Sequence, residues 1–135
     1  MNALQRMLAT HPQPAADNDR LSGAAHHIAA CSQVCTSCAD ACLAEPMVAD
    51  LRRCIRLNLD CADVCAATSH VLVRQTETDA SLVQALLNAC ITACRLCAEE
   101  CSRHAAMHEH CRICADHCRR CVELCEGLLE GWPSA

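Results

Sequence analysis

Small and sulfur-bearing residues recur along this chain with the period of an α-helix, and charged or hydroxyl-bearing residues fill the positions between them. From Cys31 the offsets are 0, 4, 7 and 11, giving Cys31, Cys35, Cys38 and Cys42. At about 100° per residue those offsets fall within about 60° of one another, so the set lies along one helix face. The stripe returns as Cys54, Cys61 and Cys65, as Cys90, Cys94, Cys97 and Cys101, and as Cys111, Cys114, Cys118, Cys121 and Cys125. Opposite these stripes stand residues such as Gln33, Asp40, Arg56, Asp63, Arg95, Glu99, Asp116 and Glu123, which mark solvated sides.

The breaks between stripes place four long helices. The first is predicted to start at Asp17 or Asn18 and to end near Leu43. Ala44-Glu45 is a short connection, and Pro46 suits the first turn of a second helix reaching about Gln75. Thr76 to Asp79 breaks the chain and caps a third helix, which runs to His104 or Met107. The fourth extends from about Glu109 into the Gly127 to Gly131 region, where Trp132-Pro133 stops it. Connections this short make neighbours antiparallel, so the fold expected is all-α, an up-down-up-down four-helix bundle over residues 17–132. Residues 1–16 form an N-terminal arm, helical at its start and broken by His11-Pro12-Gln13-Pro14, which is expected to be peripheral.

Composition sharpens this picture, because the stripes leave little else to fill a core. The 135 residues include 16 Cys, no Phe or Tyr and one Trp. Such a share of cysteine ordinarily suggests an extracellular disulfide scaffold. The start, Met1 to Thr10, has no apolar core of an export signal, so a reducing cytoplasmic setting with free thiols is expected. Disulfides between residues three or four apart on one helix would also be strained. No stretch approaches the twenty apolar residues of a membrane span. The net charge of −5 is spread among interleaved signs, with no basic face or stacking aromatics for nucleic acid. No nucleophile is accompanied by a base and an orienting group, so no enzyme activity is expected.

Thiolates facing inward on four rods select soft metals: Cu(I), Zn(II) or iron–sulfur clusters. Four zinc ions on sixteen thiolates leave half of the negative charge uncompensated in a buried tube, whereas one Cu(I) per thiolate leaves it neutral. Iron–sulfur runs sit in loops, and zinc knuckles converge on a point, while Cys31 to Cys42 spans about 16 Å of one rod. The expected cargo is therefore multiple Cu(I) ions, bound less tightly in acid because every ligand must lose a proton. A zinc-thiolate store and an iron–sulfur electron-transfer protein are the alternatives. Asn58 fills the slot between Cys54 and Cys61 that the other stripes give to cysteine, either as a carbonyl-oxygen ligand or as a core amide.

Extending the stripes makes the two ends unlike. One end carries Leu21, Ala24, Ile28, Thr68, Leu72, Val83, Leu87, Leu128 and Trp132, an apolar plug. The other carries Cys42, Met47, Leu51, His104, His108 and Cys111, and Met47, His104 and His108 are expected to form an entry site for the metal. His117 is placed on the flank of its stripe, and His26, His27, His70 and His110 are placed on the surface or in loops.

In the four stripes, Asn58, and the histidines and methionine at one end, the chain resembles the bacterial copper storage proteins, in particular their cytosolic branch. The resemblance covers about Asp17 to Gly131. It implies a cysteine-lined bundle assembled as a homotetramer that stores many Cu(I) ions, and a store of this kind is expected to supply a copper chaperone or copper enzyme. Off-stripe apolar residues, Val34, Leu57, Val64, Leu96, Ile113 and Val122, give the oligomer some support.

Overall fold

The computed structural model describes residues 1–132. Its elements are helix α1 (Ala3–Ala9), α2 (Asn18–Leu43), a 3-10 turn (Val48–Leu51), α3 (Arg52–Leu72), α4 (Ala80–His104) and α5 (Glu109–Gly131). Helix α2 packs on α3, α3 on α4, α4 on α5, and α5 closes back on α2, with no backbone contact across either diagonal among the described residues. The arrangement is an antiparallel four-helix bundle whose axis is left to side chains.

Local chemistry sets the helix ends. Asp17 accepts the Arg20 N–H at 3.1 Å and opens α2. Asp79 does the same for α4, accepting from the N–H groups of Ser81 and Leu82. Two boundaries differ from expectation. Pro46 does not begin a helix: it occupies the second position of a turn closed by Val48 N–H to Glu45 O at 3.1 Å, where its fixed φ is preferred. The next helix therefore starts at Arg52, after the 3-10 turn. Helix α3 stops at Leu72 rather than Gln75, because the Gln75 side chain itself donates to the Leu72 carbonyl at 3.1 Å. Helix α4 ends at His104, and residues 105–107 form a tight turn into α5. The helix-stopping role expected of Pro133 falls outside the described residues.

All sixteen cysteines are buried. Leu21, Ile28, Leu72, Val83, Leu87 and Leu128 close one end as expected, each burial stabilising by about 1.5–3 kcal/mol relative to exposure. The arm joins this end rather than lying free: Leu8 is buried in the core cluster, and His11 Nε2 lies 3.3 Å from Thr76 Oγ1 in the α3–α4 loop.

Candidate metal centre

Each helix delivers its sulfurs to the axis because α-helical period and cysteine spacing agree, and the bundle then interleaves them. Nearest the plug, Cys65 Sγ lies 3.7 Å from the sulfurs of Cys90 and Cys94, and Cys61 Sγ lies 3.6 Å from Cys94. Next, Cys31, Cys35 and Cys118 form a triangle with sides of 3.7 to 3.8 Å. Cys114 then meets Cys35 at 3.8 Å and Cys97 at 3.9 Å, and Cys101 meets Cys54 at 3.6 Å. Sets of four sulfurs that converge within 4.8 Å include Cys31, Cys61, Cys65 and Cys94; Cys31, Cys35, Cys61 and Cys118; Cys35, Cys97, Cys114 and Cys118; and Cys38, Cys42, Cys54 and Cys111. The first three share members, so a sulfur such as Cys31 is placed to bridge two ions. Cys121 and Cys125 complete the deep half, Cys125 against Cys90. No two cysteines are disulfide-linked among the described residues.

Asn58 is fully buried inside the tube. Its Oδ1 accepts from the thiols of Cys97 at 3.0 Å, Cys114 at 3.3 Å and Cys101 at 3.6 Å, and its Nδ2 donates to Cys54 Sγ at 3.7 Å. The amide is thus satisfied by sulfur on both sides rather than by backbone.

At the open end the histidines do not act alike. His108 is buried and its Nδ1 is paired with the Glu45 carboxylate. His104 is half-buried, and its Nε2 lies 2.9 Å from Glu100, a buried carboxylate that also faces Arg53 and Arg103. Met47 is half-buried in the turn before the 3-10 helix. His110, expected at the surface or in a loop, instead sits within α5 and turns to the thiols: its Nδ1 is 3.4 Å from Cys38 Sγ and 3.6 Å from Cys111 Sγ. Its Nε2 is buried without a hydrogen-bond partner, with Glu45 at 3.9 Å. Its ring stacks on His108 with centroids 5.4 Å apart. Sequence reasoning missed His110 because it lies one residue off the stripe of Cys111. His27, also expected at the surface or in a loop, is half-buried in α2 and clasps His117, while His26 and His70 are exposed.

The thiols share protons unequally. Cys38 is pulled down to about 6, foremost by the Cys101 thiol and also by Cys54 and His110, against its burial. Cys42 is pushed up to about 11 by burial and then by the charge of Cys38. Deeper in the tube Cys114 raises Cys118, Cys121 raises Cys65 and Cys90 raises Cys125, burial adding to each. Their neighbours are lowered in turn, Cys31 and Cys61 foremost by the Cys118 thiol, Cys90 by Cys125 and Cys114 by Cys101, so raised and lowered sulfurs alternate in the deep tube, and at the open end the lowered thiol is Cys38.

Comparison with known proteins agrees with this geometry. The copper storage protein of Streptomyces lividans, Ccsp, loaded with 10 copper equivalents, matches with TM-score 0.91 and 49% identity, covering 95% of this chain and 98% of that one. The cytosolic copper storage protein of the same organism with five coppers matches with TM-score 0.83 and 52% identity over 85% of this chain and 96% of that one. An uncharacterized cysteine-rich protein of Bacillus subtilis (strain 168), YhjQ, is 35% identical over 98 residues, which is 73% of this chain and 85% of that protein. The family model described as copper storage protein matches residues 17–130, all of the bundle but the end of α5. The chain belongs to the copper storage protein family.

Proposed function

We propose that this protein takes Cu(I) in at its open end and stores on the order of one ion per thiolate along the bundle axis. The observation that carries this reading is the unbroken succession of buried, unlinked sulfurs, with neighbouring sets that share members. Shared sulfurs suit bridged, low-coordinate monovalent ions. Each ion displaces one proton, so the filled interior stays neutral where divalent ions would leave excess charge. Asn58 serves the middle of the tube through its oxygen, as ligand or as hydrogen-bond acceptor for the sulfurs that remain protonated.

Cys38, Cys42, Cys54 and Cys111 with His110 form the receiving layer, and His108, His104 and Met47 stand outside it. The orphaned Nε2 of His110 supports this assignment, since a buried ring nitrogen without a partner is costly unless an ion or a moved proton satisfies it. Glu45 and Glu100 orient His108 and His104, as carboxylates do for metal-binding imidazoles. Residues 17–132 are the storage unit, and residues 1–16 cover its closed end. The bundle assembles as a homotetramer, for which exposed Leu96 and Ile113 supply apolar contact. It works in the cytoplasm as a buffer rather than a catalyst, supplying a copper chaperone or copper enzyme.

Anaerobic titration of the reduced protein with Cu(I) against a competing chelator tests the reading. On the order of ten or more colourless equivalents per chain are expected. Uptake of only one or two equivalents overturns it. Exchanging His104, His108 and His110 together for alanine is expected to slow loading with little loss of capacity, and unchanged rates remove the entry assignment.

A further inference from the structure

Away from the open end, imidazole and tube sulfur also meet on the seam between α2 and α5. His27 and His117 stack face to face, with ring centroids 3.7 Å apart and planes 4° apart. His117 Nε2 donates to the His27 carbonyl at 3.0 Å, and His27 Nε2 donates to the His117 carbonyl at 3.1 Å. The Cys121 thiol donates to that same His27 carbonyl at 3.9 Å. Both rings are half-buried while Cys121 is fully buried, so the group reaches from solvent to the interior. Along α5, Cys121 lies about 15 Å beyond the Cys111 of the open end.

A ring nitrogen of each histidine and the Cys121 sulfur lie within 4.8 Å of one another. A linear nitrogen–metal–sulfur unit, with bonds of about 2.0 and 2.3 Å, spans about 4.3 Å. One imidazole and Cys121 therefore match a two-coordinate soft ion. Parallel stacked rings cannot both aim lone pairs at one ion, and both Nε2 atoms are committed to carbonyls. An ion bound through Nε2 displaces one of those hydrogen bonds and an ion bound through Nδ1 does not, and in either case a single imidazole holds it beside Cys121 on a half-buried seam, which makes the site one of passage rather than of storage.

The geometry points to His27, His117 and Cys121 as a lateral transfer site, through which Cu(I) enters or leaves the deep half of the tube without passing the open end. This rests on the storage reading above and deepens it. Cys121 releases its proton as it takes the ion, and the ion then passes to the deep sulfurs beside it, among them Cys31 and Cys65.

The test is the paired substitution His27→Gln and His117→Gln, since glutamine keeps a donor for each carbonyl but removes the imidazole. It is made in the His104, His108 and His110 to alanine background and in the native protein. Cu(I) uptake and its extraction by a chelator are followed by stopped flow, with final capacity measured separately. Transfer in the background variant is expected to fall by about tenfold or more, with capacity unchanged. Unchanged or faster transfer overturns the proposal, the latter showing that the pair only holds the seam shut. Loss of multi-ion capacity in the native protein is the separate failure of the storage reading. Imidazole nitrogen NMR of native protein during Cu(I) addition gives a readout without substitution. Perturbed His27 and His117 signals are expected, and signals unmoved from the first equivalent to the last refute the site.

Discussion

Asn58 shows how much one side chain does in a core made of sulfur. It holds three thiols through one oxygen and a fourth sulfur through its nitrogen, all in the absence of water-exposed surface. Asn58→Ala removes that acceptor and leaves a small void. The reduced, metal-free protein is expected to lose about 1–3 kcal/mol in anaerobic denaturant unfolding. A loss below about 0.5 kcal/mol would mean that the thiols satisfy one another without the amide. Asn58 was legible in the sequence because it occupies a slot of the stripe. His110 was not, because its approach to Cys38 depends on how α2 and α5 sit side by side, which no single-helix periodicity contains. The same holds for His27 and His117, whose clasp joins residues 90 positions apart.

At the scale of elements, the stripes fixed which faces turn inward, and the breaks fixed how many helices there are. What local patterning handled less well were the junctions, where competing hydrogen bonds decide. Pro46 is compatible with a helix start and with a turn, and the Glu45 carbonyl chose the turn by accepting from Val48. Gln75 fits a helix by propensity, yet its side chain caps the one that ends at Leu72. Asp79 is the cleaner case, since α4 begins with its carboxylate bonded to two backbone N–H groups. Asp79→Ala is expected to lower the melting temperature of the empty bundle, while Asp79→Asn lowers it less. Melting of the two variants side by side checks this, and equal loss in both would shift the effect from capping to charge.

For the whole molecule, stability and cargo are linked through protons. Cys42, raised to about 11, contributes stability that is complete below the ordinary thiol value of 9.0 and is lost as pH climbs toward 11. Cys38, lowered to about 6, contributes the opposite way: its share is complete above 9.0 and is lost as pH falls toward 6. His27, lowered chiefly by burial, adds to the acid side, its share complete above 6.5 and lost below. The melting temperature of the reduced, empty protein is therefore expected to peak on the alkaline side of neutrality and to fall on both sides. Loading with Cu(I) should flatten the alkaline limb, since the sulfurs then carry metal in place of protons. A flat profile for the empty form would contradict this.

The crowding of sulfur across helix seams has one more consequence, for survival in an oxidising moment. Cys61 and Cys94, on α3 and α4, stand 3.6 Å apart, and Cys54 and Cys101 stand at the same separation. A covalent sulfur–sulfur bond is about 2.05 Å long, so a short inward movement allows peroxide to stitch two rods together. An occupied sulfur offers far less to such attack. Brief peroxide exposure is thus expected to abolish much of the later uptake of the vacant protein, while the laden protein keeps its thiol titre after the metal is withdrawn. Equal damage to both would refute the idea. Vulnerability belongs to the vacant vessel, and a cell that depletes its reserve also weakens the container needed to rebuild it.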